Sequence, residues 1–128
     1  TMTRVLVVHH DIDLADQEVD SLRRLGYEPV ECSGPSGFPC PVLRGEDCPD
    51  VASADVLVYD VYSTNDPDSG HMLFDNLMRM YPDTPIVITS LGMEVDWEPS
   101  GEHGKIVPLV GAPTAAKLDA AIKEALAR

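Results

Sequence analysis

Cations are scarce in this chain. Nine Lys and Arg stand against 22 Asp and Glu, leaving a formal charge of −13. Nucleic-acid affinity rests on neutralising phosphates, so direct binding to nucleic acid is not expected, nor is an anionic membrane surface. Long apolar runs are also missing; none approaches the ~20 residues of a membrane span. No basic-then-apolar leader is present, and the expected location is cytoplasmic. Cysteine is limited to three residues, an odd number that cannot all pair within one chain. In a reducing compartment, thiols or metal ligation are more natural than a structural disulfide.

What is present is an ordered core. The chain has 128 residues and is 44% hydrophobic, which fits one domain spanning 1–128. Short apolar runs predict strands at 4–8 (RVLVV), 27–32 (YEPVEC), 56–60 (VLVYD), 85–90 (PIVITS) and 105–110 (KIVPLV). Pro29 removes a ladder donor and places the second of these at a sheet edge. Between the strands lie helical patterns. Asp11 or Asp13 caps the first, whose apolar positions Ile12, Ala15, Val19, Leu22 and Leu25 form one stripe, with Gly26 as the stop. A second runs over 70–81, with Leu73, Leu77 and Met80 on one face and Pro67 in the polar loop before it. Thr114 caps the last, with Ala115, Leu118, Ile122 and Leu126 inward. Its many alanines could allow close packing in a dimer, although they also serve helix propensity. At most one helical turn is expected between 92 and 104, near Met93 to Trp97.

The connection from Ser33 to Asp50 departs from this rhythm. It holds repeated Pro and Gly, and at most a short helical turn from Pro49 to Ala54. Three cysteines border or lie in it as Cys32-x7-Cys40-x7-Cys48. With His9 or His10 they make a candidate Cys₃His set for zinc or an iron–sulfur cluster. The spacing lacks the close pairs usual for zinc. Packing, or one disulfide pinning the loop, carries more weight, and redox switching of the thiols is the third alternative.

Alternating strands and helices imply a parallel sheet covered on both faces. The sequence as a whole resembles the receiver domain of bacterial response regulators. The resemblance is carried by RVLVV, by LRRLGYE at the end of the first helix, and by ADVLVYD. Gly70, YPDTPIVITS and Ala112-Pro113 complete it. It implies a flavodoxin-like (CheY-like) doubly wound five-stranded α/β sheet in the order 2-1-3-4-5. The helix between the second and third strands is replaced by the Cys/Pro/Gly-rich loop, and the fourth helix is degraded. In that family an Asp at the end of the third strand accepts a phosphoryl group, which Asp60 matches. A Thr or Ser at the end of the fourth strand reports it; Ser90 matches by count and Thr89 is adjacent.

Two elements of the family pattern are absent. An acidic pair after the first strand holds Mg²⁺ in the family; here those positions are His9 and His10. A Lys precedes the Pro after the fifth strand; here it is Ala112. Phosphoryl transfer depends on metal and cation neutralising charge, so Asp60, Ser90 and Thr89 are read as a vestigial acceptor and its switch residues. The expectation is a non-enzymatic regulatory module, part of a two-component or phosphorelay type of system by resemblance, acting through a protein partner or homodimer without cofactor. The alternatives are a metal- or redox-responsive sensor at Cys32, Cys40 and Cys48, and a phosphorylated receiver using Mg²⁺ at Asp60 with Asp11 or Asp13. His10-Asp11-Ile12 also resembles the loop of cobalamin-binding domains, but Val8 and Asp13 stand where that loop has Asp and Gly.

Overall fold

The computed structural model describes residues 2–32, 40–61, 67–89 and 106–127, with backbone alone for 67–70. The chain runs β1 (Arg4–Val8), α1 (Ile12–Arg24), β2 (Glu28–Cys32), a 3₁₀ turn (Val42–Arg44) and a one-turn α2 (Pro49–Ala52). It continues through β3 (Val56–Asp60), α3 (Pro67–Met80), β4 (Ile86–Thr89), β5 (Ile106–Pro108) and α4 (Ala115–Leu126). All five strands pair in parallel, in the order β2-β1-β3-β4-β5. The expected topology is the observed one, with Pro29 on the edge strand.

Strand parity divides the core. Val5 and Val7 of β1, Val56 and Val58 of β3, and Val87 of β4 face α1 and α4. Leu6 and Val8, Leu57 and Tyr59, Ile86 and Ile88 face α3 and the 42–51 connection. With both faces buried, the strands read as unbroken apolar runs, as parallel strands do.

Several local expectations are corrected. Asp11 is the cap of α1, its Oδ1 accepting from the Leu14 amide at 3.1 Å. The buried stripe of α1 is Ala15, Glu18, Val19 and Leu22, while Ile12 is 61% exposed and Leu25 is 39% exposed. A 13-residue helix is about 20 Å long, against about 17 Å for a five-residue strand, so its ends overhang the sheet. The same end effect leaves Ala115 and Leu126 exposed on α4, where Leu118, Ala121, Ile122 and Ala125 are buried. Thr114 caps α4 as expected. Helix α3 starts at Pro67 rather than Gly70, because the missing proline N–H is no loss in the first turn. Strand β5 is shorter than the run suggests, since Pro108 cannot donate; Leu109 still gives its amide to Ile88 O at 2.8 Å. The expectations for Ser90, Met93 to Trp97, His103 and Lys105 lie outside the described residues.

The cysteine-bearing connection is held by α3 and the residue that follows it. Asn76 Nδ2 donates to the carbonyls of Val42 at 2.9 Å and Leu43 at 3.3 Å. Tyr81 Oη accepts from the Cys48 amide at 2.9 Å and donates to Asp47 Oδ1 at 2.5 Å. Val42 and Val51 then fill that face of the sheet. Among the described residues no helix is long and apolar enough to cross a membrane.

Candidate functional site

Parity also builds the site. One step beyond the apolar row that faces α1 and α4 stand His9 after β1, Asp60 at the end of β3 and Thr89 at the end of β4. Asp60 and Thr89 are register partners, and Thr89 Oγ1 donates to Asp60 Oδ2 at 3.0 Å. His9 Nε2 lies 3.2 Å from the same Oδ2. All three are buried.

The tautomer of His9 follows from its neighbours. The Asp11 amide donates to Nδ1 at 3.0 Å, so Nδ1 presents its lone pair and the ring hydrogen sits on Nε2, pointing at Asp60. Burial lowers the His9 pKa. The hydrogen bond to Asp60, with the charges of Asp60, Glu18 and Asp11, outweighs it and the net shift is upward. Protonating Nδ1 would break the Asp11 contact, which resists that pull at the one atom able to take the proton.

Glu18 was not among the residues singled out from the sequence. It projects from α1 into the same place, 3% exposed, with Oε2 3.9 Å from His9 Nε2. Neither carboxylate oxygen has a hydrogen-bond partner. Burial first, then the charge of Asp60, push its pKa up to about 7, against the opposing pull of His9. The spacing 15–18–19–22 is the signal that marks it, since it puts an acid on the apolar stripe. His10 stacks on His9 with ring centroids 5.6 Å apart, and its buried Nδ1 also lacks a partner.

A cavity of about 330 Å³ opens here, lined by His9, Leu14, Gln17, Glu18, Ser21, Asp60 and residues 112–114. Ala112 therefore stands on the cavity wall with a methyl group, and no Lys or Arg is among the described lining residues. Lys117 is close in sequence but gives its Nζ to Val110 O at 3.0 Å.

The cysteines are elsewhere. Cys32 is the register partner of Val8, and Cys32, Cys40 and Cys48 all pack on the core facing α3. His9 faces the other side of the sheet. None of the three forms a disulfide. Among the described residues, the group of three or more metal-capable side chains within 4.8 Å is His9, His10 and Asp60; no cysteine belongs to it. Among the described residues the three cysteines and His9 are not brought together, because one strand step sends neighbouring side chains to opposite faces.

The Mg²⁺ that the receiver resemblance implies does not fit these residues. Mg²⁺ takes oxygen ligands in near-octahedral geometry and keeps several waters. Here two imidazoles hold the positions of the acid pair, and the partnerless buried atoms, His10 Nδ1 with both Glu18 oxygens, mix nitrogen with oxygen.

No family model matches the chain, and no curated protein matches it. Solved structures do. A CheY-like response regulator receiver domain protein from Methanospirillum hungatei superposes with a TM-score of 0.68 at 18% identity, covering 98% of this chain and 94% of that one. Chemotaxis protein CheY4 of Vibrio cholerae gives 0.64 at 21% identity, over 98% and 100%. NtrX of Brucella abortus gives 0.69 at 16% identity, with 98% of this chain on 27% of that one. At such identities the likeness is one of fold: this chain has the receiver-domain fold.

Proposed function

We propose that this chain is a receiver-like signalling module that works by binding a protein partner, without phosphorylation and without catalysis. The observation that supports this most directly is the state of Asp60. Its Oδ2 already takes the hydrogen bond of Thr89 and faces the Nε2–H of His9. A phosphoryl group attaching at Oδ2 would have to displace these donors.

Electrostatics point the same way. A phosphoryl group on Asp60 brings negative charge into a cavity that also holds the Glu18 carboxyl group. Two like unit charges about 4 Å apart repel by about 4 kcal/mol at an effective dielectric of 20. Phosphoryl transfer is driven mainly by positioning and by cations that neutralise this charge, and loss of one preorganised donor costs about 10²–10³ in rate. Here a methyl at Ala112 and imidazoles at His9 and His10 replace both cationic elements of the family pattern.

The test is intact-mass analysis after incubation with acetyl phosphate and Mg²⁺. The expected result is no phosphoryl adduct. An adduct that disappears in Asp60→Asn would overturn the reading. If the mass is unchanged, capture of one protein partner equally well by the wild type and by Asp60→Asn is the positive result expected.

A further inference from the structure

We propose that His9, His10, Asp60 and Glu18 form a binding site for a divalent transition-metal ion of the Zn²⁺ class. It shares Asp60 with the non-phosphorylated reading but goes beyond it, and its test reads ion uptake rather than a phosphoryl adduct, so the two can fail separately.

Three observations carry it. First, His9, His10 and Asp60 each bring one ligand atom within 4.8 Å of the others, and His9 Nε2 to Asp60 Oδ2 is 3.2 Å. Ligands about 2.0–2.2 Å from a tetrahedral ion lie roughly 3.4 Å apart. That pair is already close to ion-holding distance, and the third ligand needs to close by about an ångström or so. Second, Glu18 is buried beside His9 with both oxygens lacking any hydrogen-bond partner, and it lines the cavity that reaches Asp60. Buried polar atoms are nearly always satisfied, and an orphan carboxylate calls for a cation or donor. Third, His10 Nδ1 is a further buried atom with a lone pair or hydrogen and no partner.

The donor types select the ion. Imidazole suits Zn²⁺ and its neighbours, whereas all-oxygen shells suit Mg²⁺ and Ca²⁺. Two imidazoles with one or two carboxylates is therefore a site for a borderline ion. Coordination through His9 Nε2 requires the hydrogen now on that atom to move to Nδ1, so that no proton is lost from the ring. Nδ1–H would then face the Asp11 N–H, donor against donor, and this contact must open. Asp11 also caps α1. Ion binding is thereby linked to the first turn of α1, which gives it a readout separate from affinity.

The experiment is a titration of untagged, reduced, chelator-treated full chain with Co²⁺ as spectroscopic probe and Zn²⁺ as competitor, alongside amide NMR with Zn²⁺. One equivalent of Co²⁺ with visible ligand-field bands, no thiolate charge-transfer band, and displacement by Zn²⁺ is expected. The Asp11 and Ile12 amides should shift on Zn²⁺ addition. His9→Ala with His10→Ala should weaken binding by at least about 100-fold, the upper end of what loss of an outer-shell partner costs, and Glu18→Gln by about tenfold. The triple Cys32→Ser, Cys40→Ser, Cys48→Ser chain should bind as the wild type does. Circular dichroism confirms folding of each variant. No uptake by folded wild type would overturn the proposal. So would a thiolate band lost in the triple serine variant, or unchanged affinity in a folded double histidine variant.

Discussion

The two faces of the sheet have been built differently. The face under α1 and α4 has regular helices and ends in a polar cluster of His9, Glu18, Asp60 and Thr89. The face under α3 has a cysteine-bearing connection whose described part holds only a 3₁₀ turn and the one-turn α2, and among the described residues its buried side chains are apolar apart from Tyr59. The backbone there is stabilised by hydrogen bonds from Asn76 and to Tyr81. Regular packing on the other face holds an unsatisfied acid in place. Loop irregularity is thus a poor guide to the site, and the strand-end row is a good one.

If both faces are true cores, truncating either is costly. Phe74→Ala on the α3 face and Leu118→Ala on the α4 face, both fully buried, should each lose several kcal/mol, about 3–5 and 2–5 respectively. Urea unfolding measures both. A loss below about 1 kcal/mol for Phe74→Ala would show that the irregular face is only a cover.

The next effect separates the faces by pH. Glu18 has its folded-state pKa raised from 4.5 to about 7. It meets His9 and Asp60 from β1 and β3, with Asp11 beyond His9. A group raised in the folded state gives stability that is present below the unfolded pKa and lost as pH rises through the folded one. His9, raised likewise, acts in the same direction. The metal-free chain, with chelator present, should therefore lose stability from about pH 4.5 to just above 7, by up to about 3 kcal/mol for Glu18. Glu18→Leu should remove most of that slope and be more stable than wild type at pH 8. Equal slopes in the two chains would show that Glu18 is solvated.

Smaller effects belong to the connection. Asn76→Ala strands two carbonyls and should cost about 1–2 kcal/mol, read by urea unfolding, with faster hydrogen exchange at the Arg44 and Gly45 amides of the 3₁₀ turn. Serine at Cys40 or Cys48, both half-buried, should cost about 1 kcal/mol or less.

Much of this architecture is legible in the sequence. The apolar runs give the strands and their order, and Pro29 gives the edge. Asp60 stands at the strand end where the run predicts it, and Ala112 lies on the cavity wall as the receiver resemblance implies. Cys32 and His9 are kept apart for a local reason: Cys32 pairs with Val8, one residue short of His9, and that single step crosses the sheet. Glu18 is missed for a long-range reason. Its spacing marks the stripe, but an acid there normally points to water. Its setting is made by chain from nearly a hundred residues away, since residues 112–114 line the same cavity. Thr89 is the partner described on Asp60, because β4 register sets it opposite; Ser90 lies outside the described residues.

The most direct measurement is the amide NMR spectrum with beryllofluoride and Mg²⁺ added to the metal-free chain. A strand-end carboxylate already engaged by His9 and Thr89 should leave the spectrum unchanged at millimolar reagent. Saturable shifts centred on Asp60 and Thr89 would show a phosphoryl mimic seated with its cation, and would contradict the non-phosphorylated reading.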